Sequence, residues 1–516
     1  KAQYASARPY RQWIENVRVK LDSIPVDQGE GGIGTFAESL LDRQQAFGYT
    51  QEDIKFLLAP MATAGEEAIG SMGDDTPIAV LSECYRGLHH FFRQNFSQVT
   101  NPPIDSLRER QGMTLATRLG NLGNVLDEDA NQLDFLLLDS PILTTAAFEA
   151  MRRRMAKKAT DVDCTFDAAG DDKALSDAIT RIQIEAETAV RGGCAHVVLT
   201  DTAANKDRAT IPMILAVGAV HTHLVRQNLR TFTSLNVRSA ECQDVHYVAV
   251  LIGVGATTIN PYLALETIGD RHRRNLFGDL TLAQCVERYV KAMDDGLLKI
   301  MSKMGISVIS SYRGGCNFES LGLSRSLVSE FFPGLPSRIS GLGLNGIQRM
   351  VLNQHRKAFI DDPAVLPIGG FHRYRRGGEK HAFEAQSIHL LQHAVATDSF
   401  ATYKRYAEGI YAMAPIHLRD LLAFAPKGPA TPVEDVESTT EIRRRLVAPG
   451  ISLGALSPEA HETLSIAMNR IGARSDSGEG GEDPARYKPR PNGDNASSAI
   501  KQIASGRFGV TAEYLN

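Results

Sequence analysis

The chain has 516 residues, of which 43% are hydrophobic and 22% charged, and its formal net charge is −4. That length asks for two to four domains, and interspersed charges of both signs leave no electrostatic footprint for nucleic acid or an anionic membrane. The longest apolar stretches, such as Ile211–Val220, are about half of the roughly 20 residues a membrane span needs.

No charged, apolar and small-residue succession opens the chain, so no secretory signal is read there. Cys84, Cys164, Cys194, Cys242, Cys285 and Cys316 are scattered without a C-x-x-C pair, which argues against a disulfide framework, a zinc site or an iron–sulfur site. A reducing compartment, the cytoplasm or an organelle interior, is expected. The chain starts at Lys1 and stops at Asn516 just after a strand-like run, so further chain is expected on both sides.

In chain order, short β-rich runs alternate with amphipathic stretches. Strands are predicted at Pro77–Leu81, Phe135–Asp139, His196–Thr200, Val245–Gly253, Ile306–Ser310 and Ile451–Leu456. Several are apolar throughout, as expected of strands covered on both faces. Helices are predicted over Arg208–Asn228 and Leu282–Met304, the second interrupted at Gly296. This alternation is the signature of an α/β protein with largely parallel sheets. The Pro/Gly-rich run Asp361–Gly370 marks a domain boundary near residue 365, and Ala425–Ser438 reads as a linker into a charged helix at Glu441–Leu446.

From Ile451 onward the pattern sharpens. Ser457 as N-cap, Pro458 at the first helical position and Glu459 beside it start a helix. That helix carries Ala460, Leu464, Met468 and Ile471 at core-facing spacing and ends at Gly472. A strand over Ala473–Ser477, a loop over Gly478–Pro484, a helix over Ser497–Ser505 and a strand over Arg507–Leu515 follow. Such βαβ units open a (β/α)8 barrel or a doubly wound sheet, and in both, function gathers at the carboxyl ends of the strands. Those ends carry Leu456 and Ser457, the Gly478–Glu482 loop and Thr511. A barrel needs about 250 residues, so one opening at Ile451 is incomplete in this chain.

The strings ISLGALSPEAHETLSIAMNRIG, SGEGGEDPARY and IKQIASGRFGVTAEYL resemble the opening of the FMN-binding barrel of glutamate synthases. Upstream, Glu66–Ser82, Gln98–Glu109, Leu137–Leu143, Gly253–Ile268 and Gly296–Gly315 resemble the central domain of that family, and FHRYRRGGEKHAF resembles the lead-in to its barrel. The resemblance implies a central, linking α/β domain over 1–365 followed by an incomplete FMN-binding (β/α)8 barrel over 366–516. It implies L-glutamate formation from 2-oxoglutarate and glutamine-derived ammonia by reduction of 2-iminoglutarate at FMN. A 3Fe–4S cluster, with ligands outside this segment, relays electrons. An N-terminal amidotransferase domain supplies ammonia, and a small subunit carrying FAD and 4Fe–4S clusters, fed by NADPH, or else ferredoxin, supplies electrons. An oligomer is expected, cytoplasmic, or plastidic for a ferredoxin-dependent plant form. The segment alone is not expected to run the full reaction.

On that resemblance, Ala455, Leu456 and Ser457 at the first strand end and Ser477 and Gly478 at the second are the expected flavin contacts. Glu482 is the expected acid near 2-oxoglutarate and ammonia, since a carboxylate can accept a proton from ammonium and stabilise an iminium cation. Glu479 is the second choice, and the competing reading makes Glu482 a loop charge or a partner of Arg486. Arg507 is expected in a structural ion pair. Two further functions compete: another FMN-dependent barrel oxidoreductase, and a non-catalytic spacer lining an ammonia passage.

Three motifs are set aside. Gly341–Gly346 matches G-x-G-x-x-G with Asp361 about twenty residues on, but PSRIS before it is not a buried apolar strand. His221 and His223 at i, i+2 face different sides of a helix and cannot share one ion. Ser310, Ser311, Tyr312 and Cys316 lack an assignable base and read as a turn. The basic run Phe371–Lys380 reads as a solvated turn.

Overall fold

The computed structural model describes residues 38–70, 73–95, 112–122, 136–315, 317–361, 363–479, 481–504, 506–507 and 509–515, with a few positions before residue 38. Gln98–Glu109, Phe135 and Cys316 lie outside the described residues. The chain divides into two compact units, Lys1–Leu422 and Ala423–Asn516.

At the centre of the first unit four parallel strands lie side by side in chain order: β1 (Ala159–Asp163), β2 (His196–Thr200), β3 (Ser234–Arg238) and β4 (Thr258–Asn260). Helices α1 (Ala174–Arg191), α2 (Met213–Arg226) and α3 (Val245–Gly253) return the chain between successive strands. Val197, Leu199, Leu235, Val237 and Ile259 are fully buried, which fits strands covered on both faces. Helix α1 buries Leu175, Ala178, Ile179, Ile182, Ala186 and Val190 in a one-sided stripe.

The α/β class stands, and five predicted elements are corrected. Val245–Gly253 is a helix, because a segment buried on every face shows no period. Asp244 decides the matter by accepting from Tyr247 N at 2.7 Å as N-cap. Pro77–Leu81 holds only a 3-10 turn at Ala79–Leu81. Ile306–Ser310 gives one bridge, Thr114 to Val308, and then the helical turn Ile309–Tyr312. Arg208–Asn228 splits into a strand, Arg208–Thr210, and α2, since Pro212 disfavours helical backbone at Ile211. The fifth is the predicted break at Gly296. Helices α4 (Tyr262–Arg273) and α5 (Leu282–Met304) follow β4, and α5 runs through Gly296 unbroken. A Cβ there would lie 2.5 Å from Val245 Cγ2, so the glycine serves helix packing.

Beyond these, β5 (Phe318–Leu323) pairs in parallel with β6 (Ser337–Leu342) and antiparallel with Phe92–Gln94. Strand β6 leads into α6 (Leu344–Phe359) and is half exposed rather than buried. Gly341 lets β6 pass Gly322, whose carbonyl oxygen would be 2.2 Å from an added Cβ, so the G-x-G-x-x-G match has a packing cause. The turn Phe371–Lys380 exposes its cationic side chains, but its backbone is tethered. Glu52 accepts from the N–H groups of Phe371, His372 and Arg373 at 2.7–3.1 Å, and Arg86 lies 4.0 Å over the Phe371 ring.

In the second unit β7 (Val447–Gly450) and β8 (Arg474–Asp476) are parallel and joined by α7 (Pro458–Arg470). Ser457 caps α7 as expected, accepting from Ala460 N at 3.3 Å. Three expectations fail here. Pairing starts at Val447 and ends at Gly450, and Ile451–Leu456 turns back around Ser452 Oγ, which accepts from Gly454 N at 3.1 Å and Ala455 N at 3.2 Å. Residues 497–504 are not helical but irregular, with bends at Ser497 and Ala499 and a single bridge at Ile500. Gln502 N, an amide such a helix would use, donates instead to Ser477 Oγ at 3.2 Å, and Ser498 N donates to Glu482 at 3.0 Å. Ile500 instead bridges Asp476 in parallel. The described part of 507–515 forms turns rather than a strand, held by Tyr514 N donating to Thr511 Oγ1 at 3.2 Å.

Candidate functional site

Three chain segments meet side by side in the second unit: Ile451 just past β7, Ser477 just past β8, and the irregular run at Ile500. Ser477 N donates to Ile500 O at 3.0 Å and Ile500 N to Ser475 O at 2.9 Å, so the third segment continues the parallel ladder. The predicted second-strand residues lie at this edge. Ser477 is fully buried, its hydroxyl 2.5 Å from that of Tyr514. Gly478 has φ +62°, and a Cβ on it would meet Ile451 O at 2.5 Å, so only glycine lets these strand ends touch.

Glu482 is the buried acid of the cluster. Its side chain is 0% exposed, bonded to Ser498 N at 3.0 Å, in direct contact with Lys501 Nζ, and 3.4 Å from Arg486 Nη2. The Arg486 partnership was one of the two sequence expectations, and Lys501 went unseen. Ser477, Gly478 and Glu482 therefore share one neighbourhood. Ala455, Leu456 and Ser457 sit on the exposed turn after β7, Leu456 being 41% exposed. Glu479 is also exposed, and the Ser452 hydroxyl holds its carboxyl below the usual range. Thr511 is exposed. Arg507 makes no ion pair among the described residues and donates to Gln502 Oε1 at 3.0 Å.

The face of α7 that packs inward is not the predicted one. Leu464 and Ile471 are 43% and 42% exposed, while His461 and Ser465 are fully buried. His461 Nε2 lies 3.0 Å from Ile451 O and 3.3 Å from Ser477 O, and Nδ1 lies 3.0 Å from Arg486 Nη1. Sequence reasoning missed His461, Lys501, Gln502 and Tyr514. The available signal was His461 and Ser465 at i, i+4, a polar pair about a quarter turn round the helix from the apolar stripe. Ser475 Oγ and Arg507 Nε are buried without a hydrogen-bond partner among the described residues.

A second candidate lies in the first unit: a cavity of about 390 Å³ lined in part by Asp53, Arg86, His89, Glu241, Asp244 and Tyr247. Burial pushes the Asp53 carboxyl up to about 6 and the His89 imidazole down to about 4. Glu241 is raised by burial too and accepts from Tyr247 Oη at 2.5 Å. His221 and His223 go separate ways, His221 to Arg230 and His223 to Glu187. Among the described residues no group of three or more His, Cys, Asp or Glu could hold a metal ion, and no helix is long and apolar enough to cross a membrane.

Comparison with known proteins gives two family matches: "Glutamate synthase central domain" over residues 42–324 and "Conserved region in glutamate synthase" over 381–516. The chain is 62% identical to the glutamate synthase (NADPH) large chain of Azospirillum brasilense, over 99% of this chain and 34% of that protein. It is 40% identical to its Bacillus subtilis (strain 168) counterpart, over 100% and 33%, and to the chloroplastic ferredoxin-dependent glutamate synthase of Spinacia oleracea, over 100% and 33%. The chain thus spans about a third of the length of these relatives. Among solved structures, a flavocytochrome b2 variant with pyruvate bound aligns at 10% identity and TM-score 0.30, over 61% of this chain and 96% of that one, too slight a likeness to fix a topology.

Proposed function

The chain belongs to the glutamate synthase family, and from that premise we propose that it is the part of a large subunit that joins an ammonia-delivering linking domain to the start of an FMN-binding (β/α)8 barrel. The division proposed is 1–365 for the linking domain and 366–516 for the barrel. It is supported by the gap between the two family matches, which spans 325–380. The reaction proposed is formation of L-glutamate from 2-oxoglutarate and glutamine-derived ammonia, with 2-iminoglutarate reduced at FMN.

The observation that carries this reading is the meeting of Ser477, Gly478 and the buried Glu482 at the carboxyl ends of parallel segments, where α/β proteins bind ligands. The residues suit a flavin. Gly478, with no Cβ, lets the two strand ends come together, and Ser475 Oγ and Arg507 Nε are buried polar atoms without a partner among the described residues, which a bound polar group could satisfy. Ala455, Leu456, Ser457, Ser477 and Gly478 would hold FMN, which when bound supplies the hydride. Glu482, and Glu479 as second choice, would serve 2-oxoglutarate and ammonia. Glu482, in contact with Lys501 and 3.4 Å from Arg486, is the carboxylate proposed to take a proton from ammonium and to offset the charge of an iminium cation.

The cavity beside Asp53 and Glu241 supports a role for the first unit in the ammonia passage, its carboxylates being acceptors for a small N–H donor. The 3Fe–4S cluster ligands are proposed to lie in parts of the protein outside this chain. NADPH through a small subunit with FAD and 4Fe–4S clusters is the proposed electron source, on the strength of the Azospirillum relative. The proposed setting is a cytoplasmic oligomer that also holds the amidotransferase domain.

The test is Glu482→Gln in the intact large and small subunit complex, reading glutamate formation from free ammonia and 2-oxoglutarate alongside flavin content. A fall of about 10²-fold or more at full flavin content is expected for loss of a group that moves a proton. Undiminished activity would remove Glu482 from the mechanism.

A further inference from the structure

Resting on the flavin reading above, we propose that His461 is a positioning residue that fixes the spacing of the two strand ends against which the flavin is held and ties that spacing to the Glu482 carboxylate.

The tautomer of His461 follows from its neighbours. A guanidinium only donates, so Arg486 Nη1, 3.0 Å away, requires His461 Nδ1 to accept and places the ring proton on Nε2. That single N–H faces two carbonyls, Ile451 O at 3.0 Å and Ser477 O at 3.3 Å. One belongs to the residue after β7 and the other to the residue after β8. The ring, fully buried in the first turn of α7, therefore bridges adjacent parallel segments at the point where their ladder ends. Gly478, with no Cβ to hold Ile451 O away, is what lets one proton reach both carbonyls.

The other side of the ring leads to the acid. Arg486 donates to Ala496 O from Nε at 3.0 Å and from Nη2 at 2.7 Å, and to Ser465 Oγ at 3.1 Å, so its guanidinium is held in one orientation. In that orientation Nη2 lies 3.4 Å from Glu482 Oε1. Strand-end spacing is thus linked through His461 and Arg486 to Glu482, which Ser498 N and Lys501 hold from the other side. A reacting group displaced by about 1 Å loses on the order of 10²-fold in rate.

The test uses the intact enzyme complex with His461→Gln, His461→Asn and His461→Leu. A glutamine amide reaches the place of Nε2 and restores a donor to the two carbonyls. Asparagine reaches only the place of Nδ1, and leucine supplies neither. The expected result is a Gln variant within about 3-fold of the parent. The Asn and Leu variants should lose about 10²-fold in kcat per bound flavin, with KM for 2-oxoglutarate changed less than about 3-fold and the flavin absorption band and reduction potential shifted. A Leu variant with unchanged band, potential and kcat overturns the proposal, as does lowered thermal stability with kcat per bound flavin retained. Amide exchange at Gly478 in the same proteins decides the clamp without reference to the flavin: faster exchange in Asn and Leu supports it, unchanged exchange overturns it. Absence of flavin from the unsubstituted protein would defeat the functional reading instead, and the exchange measurement would still decide the clamp.

Discussion

Arg43 grips Glu266 with both ends of its guanidinium, Nη1 to Oε2 at 2.6 Å and Nη2 to Oε1 at 2.5 Å, across 223 positions of sequence. The two side chains are only 6% and 13% exposed, so the pair joins the helix Leu40–Ala46 to α4 in a place where water cannot replace either partner.

Removing one member of such a pair leaves the other charge buried. Arg43→Met is expected to cost about 3–5 kcal/mol, and Arg43→Met with Glu266→Leu distinctly less, because the second change removes the orphaned carboxylate. Urea unfolding of the three proteins measures the difference. Equal losses in the single and double variants would contradict it.

Asp201 gives the fold a pH dependence. It is fully buried, accepts from Ser239 Oγ at 2.6 Å and from Ala240 N, and burial lifts its carboxyl from 3.8 to about 7. The folded state thus binds a proton that the unfolded state releases between those values. Its contribution to stability is complete below about 4 and is lost as pH rises toward 7. Asp201→Asn should flatten the fall of Tm between pH 4 and 7, and a slope identical to the parent's would refute the assignment.

Gly478→Ala should disturb the site twice over, through a left-handed backbone (φ +62°) and through a Cβ 2.5 Å from Ile451 O. A loss of about 1–2 kcal/mol is expected from the backbone conformation alone. The collision adds to it by forcing β7 and β8 apart. Flavin content of the purified variant, expected to fall several-fold, is the readout, and full retention would detach Gly478 from the flavin site.

Glu482 answers for two cations, the buried Arg486 and the part-buried Lys501. Glu482→Ala strands Lys501 and Arg486 and should cost about 3–5 kcal/mol. Glu482→Gln keeps an acceptor for Ser498 N and should cost less. Thermal unfolding followed by a probe in the second unit separates the two. An Ala variant as stable as the Gln variant would mean that the cations are solvated.

Some of this protein was legible in the residues alone. His196–Thr200 is a strand end to end because its apolar run is bounded and short, and Ser457 starts α7 because a hydroxyl cap before proline is a local device. The long strings shared with glutamate synthases named the family, since order and identity over most of the chain need no coordinates. Tertiary structure alone decided the rest. Val245–Gly253 became a helix although burial on all sides erases periodicity, and residues 497–504 are not helical, with Ser477 taking the Gln502 amide that such a helix would use. The inward turn of His461, beside an apolar stripe that is itself left half exposed, likewise depends on Arg486, 25 residues further on. Local pattern records what a segment prefers by itself. Partners brought from far along the chain settle which preference survives.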